Sequence, residues 1–243
     1  FGAFLTLKNV SASVELFDKQ TKTYLSQQQI LDANGNPERV NADGTSNPNG
    51  LYSKFTYVQS KARIDGGEFS LDIHPIPMIH FLNTLSVIYG TNLGTGGTVP
   101  DSLKYLPFIP PLHTHSELRV SFPKALNKLS NIYGFAGFDH FNSQNRFFAA
   151  YGTETFTAGY NLLSAGIGAN IVNASGRPVV QLNIEATNLA NINYQSNMSR
   201  LKYFDNPNVP TGTQPGIFNM GRNISFKVVV PFDLSPKKKN NGI

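Results

Sequence analysis

Alternation with a period of two residues is the feature that most restricts this chain. Between Pro178 and Thr187, Val180, Leu182, Ile184 and Ala186 take every second position, and Gln181, Asn183, Glu185 and Thr187 take the others. Successive side chains of a strand point to opposite faces, so this segment has one apolar and one polar face. Leu118, Val120 and Phe122 alternate with Glu117, Arg119 and Ser121, and Phe81, Leu85, Val87 and Tyr89 oppose His80, Thr84 and Ser86. In the last such segment Phe218, Met220, Ile224, Phe226, Val228, Val230 and Phe232 share a face. Arg222 interrupts that face, where a long side chain can snorkel toward an interface.

Two segments, Val10 to about Ile30 and Leu51 to Ile73, are longer and less regular. In the second, apolar residues move from even positions (Ala62, Ile64) to odd ones (Phe69, Leu71, Ile73), which predicts a bulge at Gly66-Gly67. Thr153 to Ile171 slips phase near Leu162-Leu163. The pattern predicts nine strands, over 1–7, 10–30, 51–73, 79–90, 113–122, 132–141, 153–171, 178–188 and 217–232. No segment reads as a helix beyond one turn at Lys124 to Leu129.

The connectors alternate in length. Lys8-Asn9, His74 to Met78, Pro123 to Asn131 and Asn173 to Arg177 are short. Leu31 to Gly50, Thr91 to Pro111, Asn142 to Gly152 and Leu189 to Gly216 are longer and rich in Asn, Gly, Pro, Thr and Ser. Up-and-down strands with short turns at one end and long loops at the other describe a transmembrane β-barrel. A soluble β-sandwich also alternates, but its strands are usually short, roughly 5–6 residues, and its loops show no side preference. Several strands here exceed the ~9–11 residues that span a bilayer and are expected to project beyond it.

Composition bears on the same choice. Charged residues are only 14% of the chain while aromatics are 12%, with 18 Phe and 10 Tyr; an average soluble domain carries roughly 25% charge. The polar faces are mostly neutral Asn, Ser, Thr and Gln, as suits a wet lumen, and no run approaches the ~20 apolar residues of a membrane helix. With no cysteine, disulfide scaffolds, thiolate metal sites and cysteine nucleophiles are excluded. The net charge of +5 includes the run Lys237-Lys238-Lys239, read as a solvated tail over 233–243. No basic face with interleaved aromatics marks a nucleic-acid partner. The chain begins inside an alternating segment, Phe1 to Leu7, which predicts that sequence upstream is missing.

Several motifs add a resemblance. Gln144-Asn145 followed by Thr153-Glu154-Thr155 through Gly159-Tyr160 to Leu163 resembles TonB-dependent outer-membrane receptors, particularly those of Bacteroidetes. So do Asn188 to Tyr194 with Ser199 to Tyr203, Leu106 to Pro111, Ala62 to Glu68, and the ending Asn219 to Asn223 through Val230-Pro231-Phe232. The resemblance implies that 1–232 is the C-terminal part, about nine strands, of a 22-stranded barrel. It places the chain in the outer membrane of a Gram-negative bacterium, as part of an active transporter for a scarce nutrient such as an iron-siderophore or haem. The implied partners are membrane lipid, the remainder of the same receptor, and the TonB-ExbB-ExbD system acting through a plug domain absent from this chain; a surface lipoprotein is also compatible. Phe232 resembles the family's C-terminal assembly signal, although the chain runs on to Ile243. A complete small porin or adhesin barrel, and a soluble carbohydrate-binding sandwich, remain the alternatives.

Candidate residues follow from these faces. Glu68, Asp72, Glu117, Arg119, Gln181, Asn183 and Glu185 are expected to line the lumen. Glu68 and Asp72 share a face, and lumen lining accounts for them better than acid–base catalysis does. Phe147, Phe148, Tyr151, Tyr203 and Phe204 are the loop aromatics expected to contact a ligand. Phe81, Tyr89, Phe122, Tyr133, Phe226 and Phe232 fall near strand ends, as in interfacial girdles. His113 and His115 lie two apart on one face and are weak metal candidates, because no third ligand stands near them in sequence. His74, before Pro75, reads as structural. No nucleophile elbow or phosphate loop is present, so the chain reads as neither an enzyme nor a cofactor carrier.

Overall fold

The strands pair with their neighbours in sequence, each antiparallel to the last. In the computed structural model, which describes residues 1–122, 127–152, 154–203 and 216–231, the chain forms β1 (Gly2–Thr6), β2 (Val10–Gln29), β3 (Arg39–Val40), β4 (Tyr52–Ser53), β5 (Phe55–Ile76), β6 (Ile79–Gly94), β7 (His113–Phe122), β8 (Leu129–Phe141), β9 (Tyr160–Val172), β10 (Pro178–Thr187) and β11 (Asn223–Val229). Nine of them make one sheet in the order β1-β2-β5-β6-β7-β8-β9-β10-β11, while β3 and β4 form a small separate pair between β2 and β5. Three short 3-10 turns, at Asp101–Leu103, Ala150–Gly152 and Arg200–Tyr203, are the helical elements among the described residues.

Register carries the two faces across the whole sheet. One row runs Val10, Ile73, Phe81, Leu118, Ala136, Ala165, Ala186, Ile224 from β2 to β11. On the same face Phe69, Phe138, Leu163, Ile167, Ile184 and Phe226 are exposed. The opposite face carries rows such as Arg119, Phe135, Gly166, Glu185, Ser225. No large side chain among the described residues falls below 2% exposure. The sheet therefore has no hydrophobic core under it: its apolar face is turned outward rather than packed on a second layer.

The two phase slips expected from sequence are not bulges. β5 pairs without a break through Gly66 and Gly67 to β2 and β6, and β9 pairs evenly with β8 through Leu162 and Leu163. The register shifts lie elsewhere, between Thr21 and Tyr24, Lys61 and Ala62, and Ser130 and Tyr133 among others. Ala62, Ile64 and Leu162 are simply apolar residues on the otherwise polar face. The glycines have a different purpose. A β-carbon on Gly66 would collide with Val87 O and lie 2.8 Å from Phe17 Cζ, and one on Gly67 would lie 2.8 Å from a Leu16 methyl. Each glycine lets a neighbour approach where a side chain would crowd it.

Three strands start later than the alternation suggests. β5 begins at Phe55 rather than 51, because Tyr52–Ser53 pairs with β3; β9 begins at Tyr160 rather than 153, and β11 at Asn223 rather than 217. The intervening residues are bonded to other loops: Thr157 exchanges backbone hydrogen bonds with Gln144, and the Asn219 N–H donates to Tyr194 O. Arg222 is consequently part of the loop structure, its Nε donating to Leu189 O, and does not break the apolar face. At the other end the short turns are tight. Asn173 Oδ1 accepts from the Ser175 and Arg177 N–H groups, and Gly176 takes a φ of 75°. The expected turn at Lys124 to Leu129 lies partly outside the described residues, and Leu129 already belongs to β8.

Gly168 shows how small residues set the polar face. Tyr133, Gly168 and Asn183 are successive partners across β8, β9 and β10. Tyr133 reaches over the glycine, and its hydroxyl donates to Asn183 Oδ1 at 2.7 Å. A β-carbon at Gly168 would lie 2.5 Å from the Tyr133 ring and 2.7 Å from Asn183 Oδ1. Gly168→Val is expected to lower the unfolding free energy of the detergent-solubilised protein by about 1–3 kcal/mol. Gly134→Ala, where the nearest atoms would be 3.7 Å away, is expected to change it by less than about 0.5–1 kcal/mol. Urea midpoints of the two variants check this.

Candidate functional site

Three of the long connectors, those after β6, β8 and β10, form one bonded assembly at one end of the sheet. Its organising group is Glu154, which is buried at 4% exposure between three loops. One carboxylate oxygen accepts from the Phe108 N–H at 2.7 Å and the other from the Phe148 N–H at 3.2 Å. Phe108 sits at a φ of 56°, a left-handed conformation unusual for a bulky residue, and its ring lies 3.9 Å beneath the Arg200 guanidinium. Ile109 O, next in the chain, accepts from both Gln144 Nε2 at 2.6 Å and Asn197 Nδ2 at 2.8 Å. Lys202 closes the far side, donating to Thr155 O at 3.0 Å and Phe156 O at 2.7 Å. Gln144, Glu154, Thr157, Asn188 and Asn197 are all buried and all bonded, so the loops pack through polar contacts rather than an apolar core.

Burial pushes the Glu154 carboxyl above the usual carboxylate range, against the pull of its two N–H donors and of the Arg200 and Lys202 charges. Burial likewise pushes the Lys202 ammonium down, opposed by Glu154. Around this cluster lies a groove of about 270 Å³ between the projecting parts of β2 and β5 and the loops. Tyr24, Tyr57, Tyr105, Phe108, Phe148 and Arg200 line it. It offers flat aromatic surfaces and one guanidinium, a combination suited to a planar or anionic ligand.

Of the loop aromatics expected at a ligand, Phe148 lines this groove. Tyr151 packs edge-on against Phe55 with ring centroids 5.3 Å apart and against Phe148 at 6.0 Å. Tyr203 lies half-buried with the Lys202 ammonium 5.0 Å from its ring. Phe147 is half-buried outside the groove's lining, and Phe204 lies outside the described residues, as do Phe232 and the tail over 233–243. Tyr24, Tyr57, Tyr105, Phe108 and Arg200 are not among the ligand contacts expected from sequence. Tyr24 and Tyr57 read there only as strand residues, and Phe108 and Arg200 stand inside the resembling motifs without a ligand role.

Glu68, Asp72, Glu117, Arg119, Gln181, Asn183 and Glu185 fall on one face of the sheet, opposite the large apolar side chains. Arg119 stacks over Tyr133 at 4.0 Å and lies 3.7 Å from Glu117. With Asn183 these residues make a polar path over β7 to β10. Gln181 joins Arg119, Tyr133 and Asn183 around one opening. Tyr133 is therefore on the polar face and not in an interfacial girdle. Glu68 stands directly opposite Glu15, so two like charges face each other across β2 and β5. His113 and His115 do share a face, and both rings approach Asp139 Oδ1 at 2.9 Å. Asp139 is 24 residues downstream of His115, and only pairing of β7 with β8 reveals it.

No family model matches the sequence, and no curated protein matches it. Solved structures do match the fold. The copper transporter OprC aligns at a TM-score of 0.66 and 16% identity, covering 93% of this chain and 29% of that one. The FrpB iron transporter from Neisseria meningitidis (F5-1 variant) aligns at 0.57 and 11%, covering 93% and 30%. BauA, the ferric preacinetobactin receptor from Acinetobacter baumannii, aligns at 0.53 and 13%, covering 93% and 28%. These are TonB-dependent receptors. The chain has the fold of a section of such a receptor's transmembrane β-barrel and spans less than a third of the length of each.

Glu154→Ala is expected to raise amide exchange at Phe108 and through the three loops while leaving β7 to β10 protected. The lost acceptor costs about 1–3 kcal/mol. Because the folded pKa of Glu154 is raised, the folded loops bind its proton more tightly than opened ones. Their opening free energy is expected to increase as pH falls through the folded value, levelling below the ordinary glutamate value. In Glu154→Gln this part of the pH dependence is expected to vanish, which exchange rates corrected for intrinsic pH effects will show.

Proposed function

We propose that this chain is the C-terminal portion of the barrel of a TonB-dependent transporter, of the Bacteroidetes type its motifs resemble, in the outer membrane of a Gram-negative bacterium. The observation that carries the reading is the unbroken apolar row across eight strands, exposed on one face with polar and charged side chains on the other. On β5 this apolar stretch runs from Ile73 to Gly67 and gives way to Asp65, which with Arg63 and Asp18 forms an ion-pair cluster at 3.0–3.5 Å. Ile73 to Asp65 at ~3.3 Å per residue and a tilt of ~40° covers about 20 Å along a barrel axis, close to the ~25 Å apolar band of outer-membrane barrels. Tyr89 stands opposite Asp65, with Arg146 4.1 Å above its ring, as an interfacial aromatic and its cation would. Beyond this level β2 and β5 continue to Gln29 and Phe55 and carry the loops outward.

In this reading the polar face, with Glu68, Asp72, Glu117, Arg119, Gln181, Asn183 and Glu185, lines the lumen. Residues 1–232 are barrel and 233–243 a tail, and the protein works as a transporter rather than an enzyme. The groove beside Glu154 sits at the extracellular mouth and takes part in binding a metal chelate such as an iron-siderophore or haem. The printed names of the similar structures, a copper transporter, an iron transporter and a ferric preacinetobactin receptor, support metal-bearing cargo. Energy reaches the protein from TonB-ExbB-ExbD through a plug domain carried by the rest of the receptor. The groove's stiff polar scaffold holds its aromatic walls in place before the ligand arrives.

Cells expressing the complete protein as their outer-membrane route for the cargo test this. Uptake of a labelled ferric chelate or haem is expected to stop on loss of TonB or addition of a protonophore. Surface binding is expected to persist, and Arg200→Ala to weaken it roughly tenfold, about 1.4 kcal/mol. Uptake that continues without TonB contradicts the proposal and indicates a passive channel.

A further inference from the structure

At the short-turn end of the polar face, Asp72, His74 and His80 converge, and we infer that they form a binding site for a first-row divalent transition-metal ion. Asp72 and His74 alternate onto one face of β5, and the tight turn after Ile76 brings His80 on β6 beside them. Among the described residues this is the group of three whose ligand atoms all lie within 4.8 Å of one another. His80 Nδ1 is 2.9 Å and His74 Nδ1 3.4 Å from the same oxygen, Asp72 Oδ2. The two imidazoles stack with centroids 5.4 Å apart and planes 24° from parallel, so both present the same nitrogen to the carboxylate. Ligand atoms at ~2.0–2.2 Å from a tetrahedral ion stand roughly 3.3–3.5 Å apart. The two imidazole-to-carboxylate distances are already near that spacing.

Hydrogen bonding alone leaves the cluster incomplete. His80 bonds Asp72, but the His74 contact lacks hydrogen-bond geometry, and both His74 Nδ1 and Asp72 Oδ1 are sealed from solvent without a hydrogen-bond partner. Buried polar atoms left this way destabilise the fold. A cation among the three satisfies the open imidazole nitrogen and the carboxylate together. The other histidine pair differs in this respect, because His113 and His115 each bond Asp139, and His113 stacks on Phe141 at 4.1 Å. Arg119 is the register partner of His80, yet its guanidinium is drawn away over Tyr133 toward Glu117 rather than toward Asp72. Two imidazoles and one carboxylate favour Zn²⁺, Cu²⁺ or Ni²⁺ over Ca²⁺ or Mg²⁺. With three protein ligands the ion keeps an open position toward the polar face.

The test uses the complete protein in detergent, stripped by chelator and titrated with Zn²⁺ alone, then with Cu²⁺ for electron paramagnetic resonance. One Zn²⁺ site is expected to weaken by at least the roughly 10–100-fold typical of disrupted ligand spheres in His80→Ala and in the near-isosteric Asp72→Asn, and to persist in His115→Ala. The Cu²⁺ spectrum is expected to show coupling to two imidazole nitrogens, falling to one in His80→Ala. Heat-dependent gel mobility confirms that each variant is folded. Absence of Zn²⁺ binding, or binding and Cu²⁺ coupling unchanged in both variants, overturns the site.

Discussion

An unbroken backbone ladder under an outward-facing apolar surface is the constraint on which the rest of this structure depends. Lipid offers no hydrogen bonds, so every N–H and C=O at membrane depth must be met by the adjacent strand. Nine strands paired in sequence order meet that demand internally from β2 to β10. The outer edges of β1 and β11 end the sheet, and the proposed barrel supplies them with further strands. Period-two alternation follows from the same demand. Once the ladder is fixed, each residue of the proposed barrel faces either lipid or lumen, and a one-residue slip would exchange the two faces.

The polar face is organised by contacts that reach across strands. Tyr133 spans Gly168 to reach Asn183, Phe17 lies over Gly66, and Arg119 bridges Glu117 and Tyr133. These side chains stiffen a wall that has no core behind it. At the long-loop end the equivalent task falls to Glu154, Gln144 and Asn197, which bond the backbone at Phe108 and Ile109. A loop assembly held by buried polar groups has a fixed shape, because each group must keep its partner. That fixed shape places Tyr24, Tyr57 and Phe148 around one groove.

The strands were legible because their periodicity is local. Pro178 to Thr187 and Leu118 to Phe122 announce their faces from composition alone, and the alternation of short and long connectors gives the topology. What escaped the sequence depends on partners distant along the chain. Thr157 and Asn219 look like strand residues until Gln144 and Tyr194 take their hydrogen bonds. Gly66-Gly67 looks like a bulge until Phe17 and Leu16 are seen to lie on it. Of the candidate site, Phe148 and the seven polar-face residues were legible through motif position and parity. Glu154 stood inside a recognised motif without a role, and the convergence of Asp139 on His113 and His115 required strand register.

In the proposed barrel one face of the sheet meets lipid and the other a wet lumen. Spin labels placed singly at positions 181 to 186 of the cysteine-free chain, in the complete protein reconstituted in bilayers, test it most directly. Labels at 182, 184 and 186 are expected to collide with lipid-soluble oxygen, while labels at 181, 183 and 185 are expected to be shielded from oxygen and reached by a small water-soluble nickel chelate. Water access at every position, or an apolar face closed to both reagents as in a packed sandwich, would contradict it.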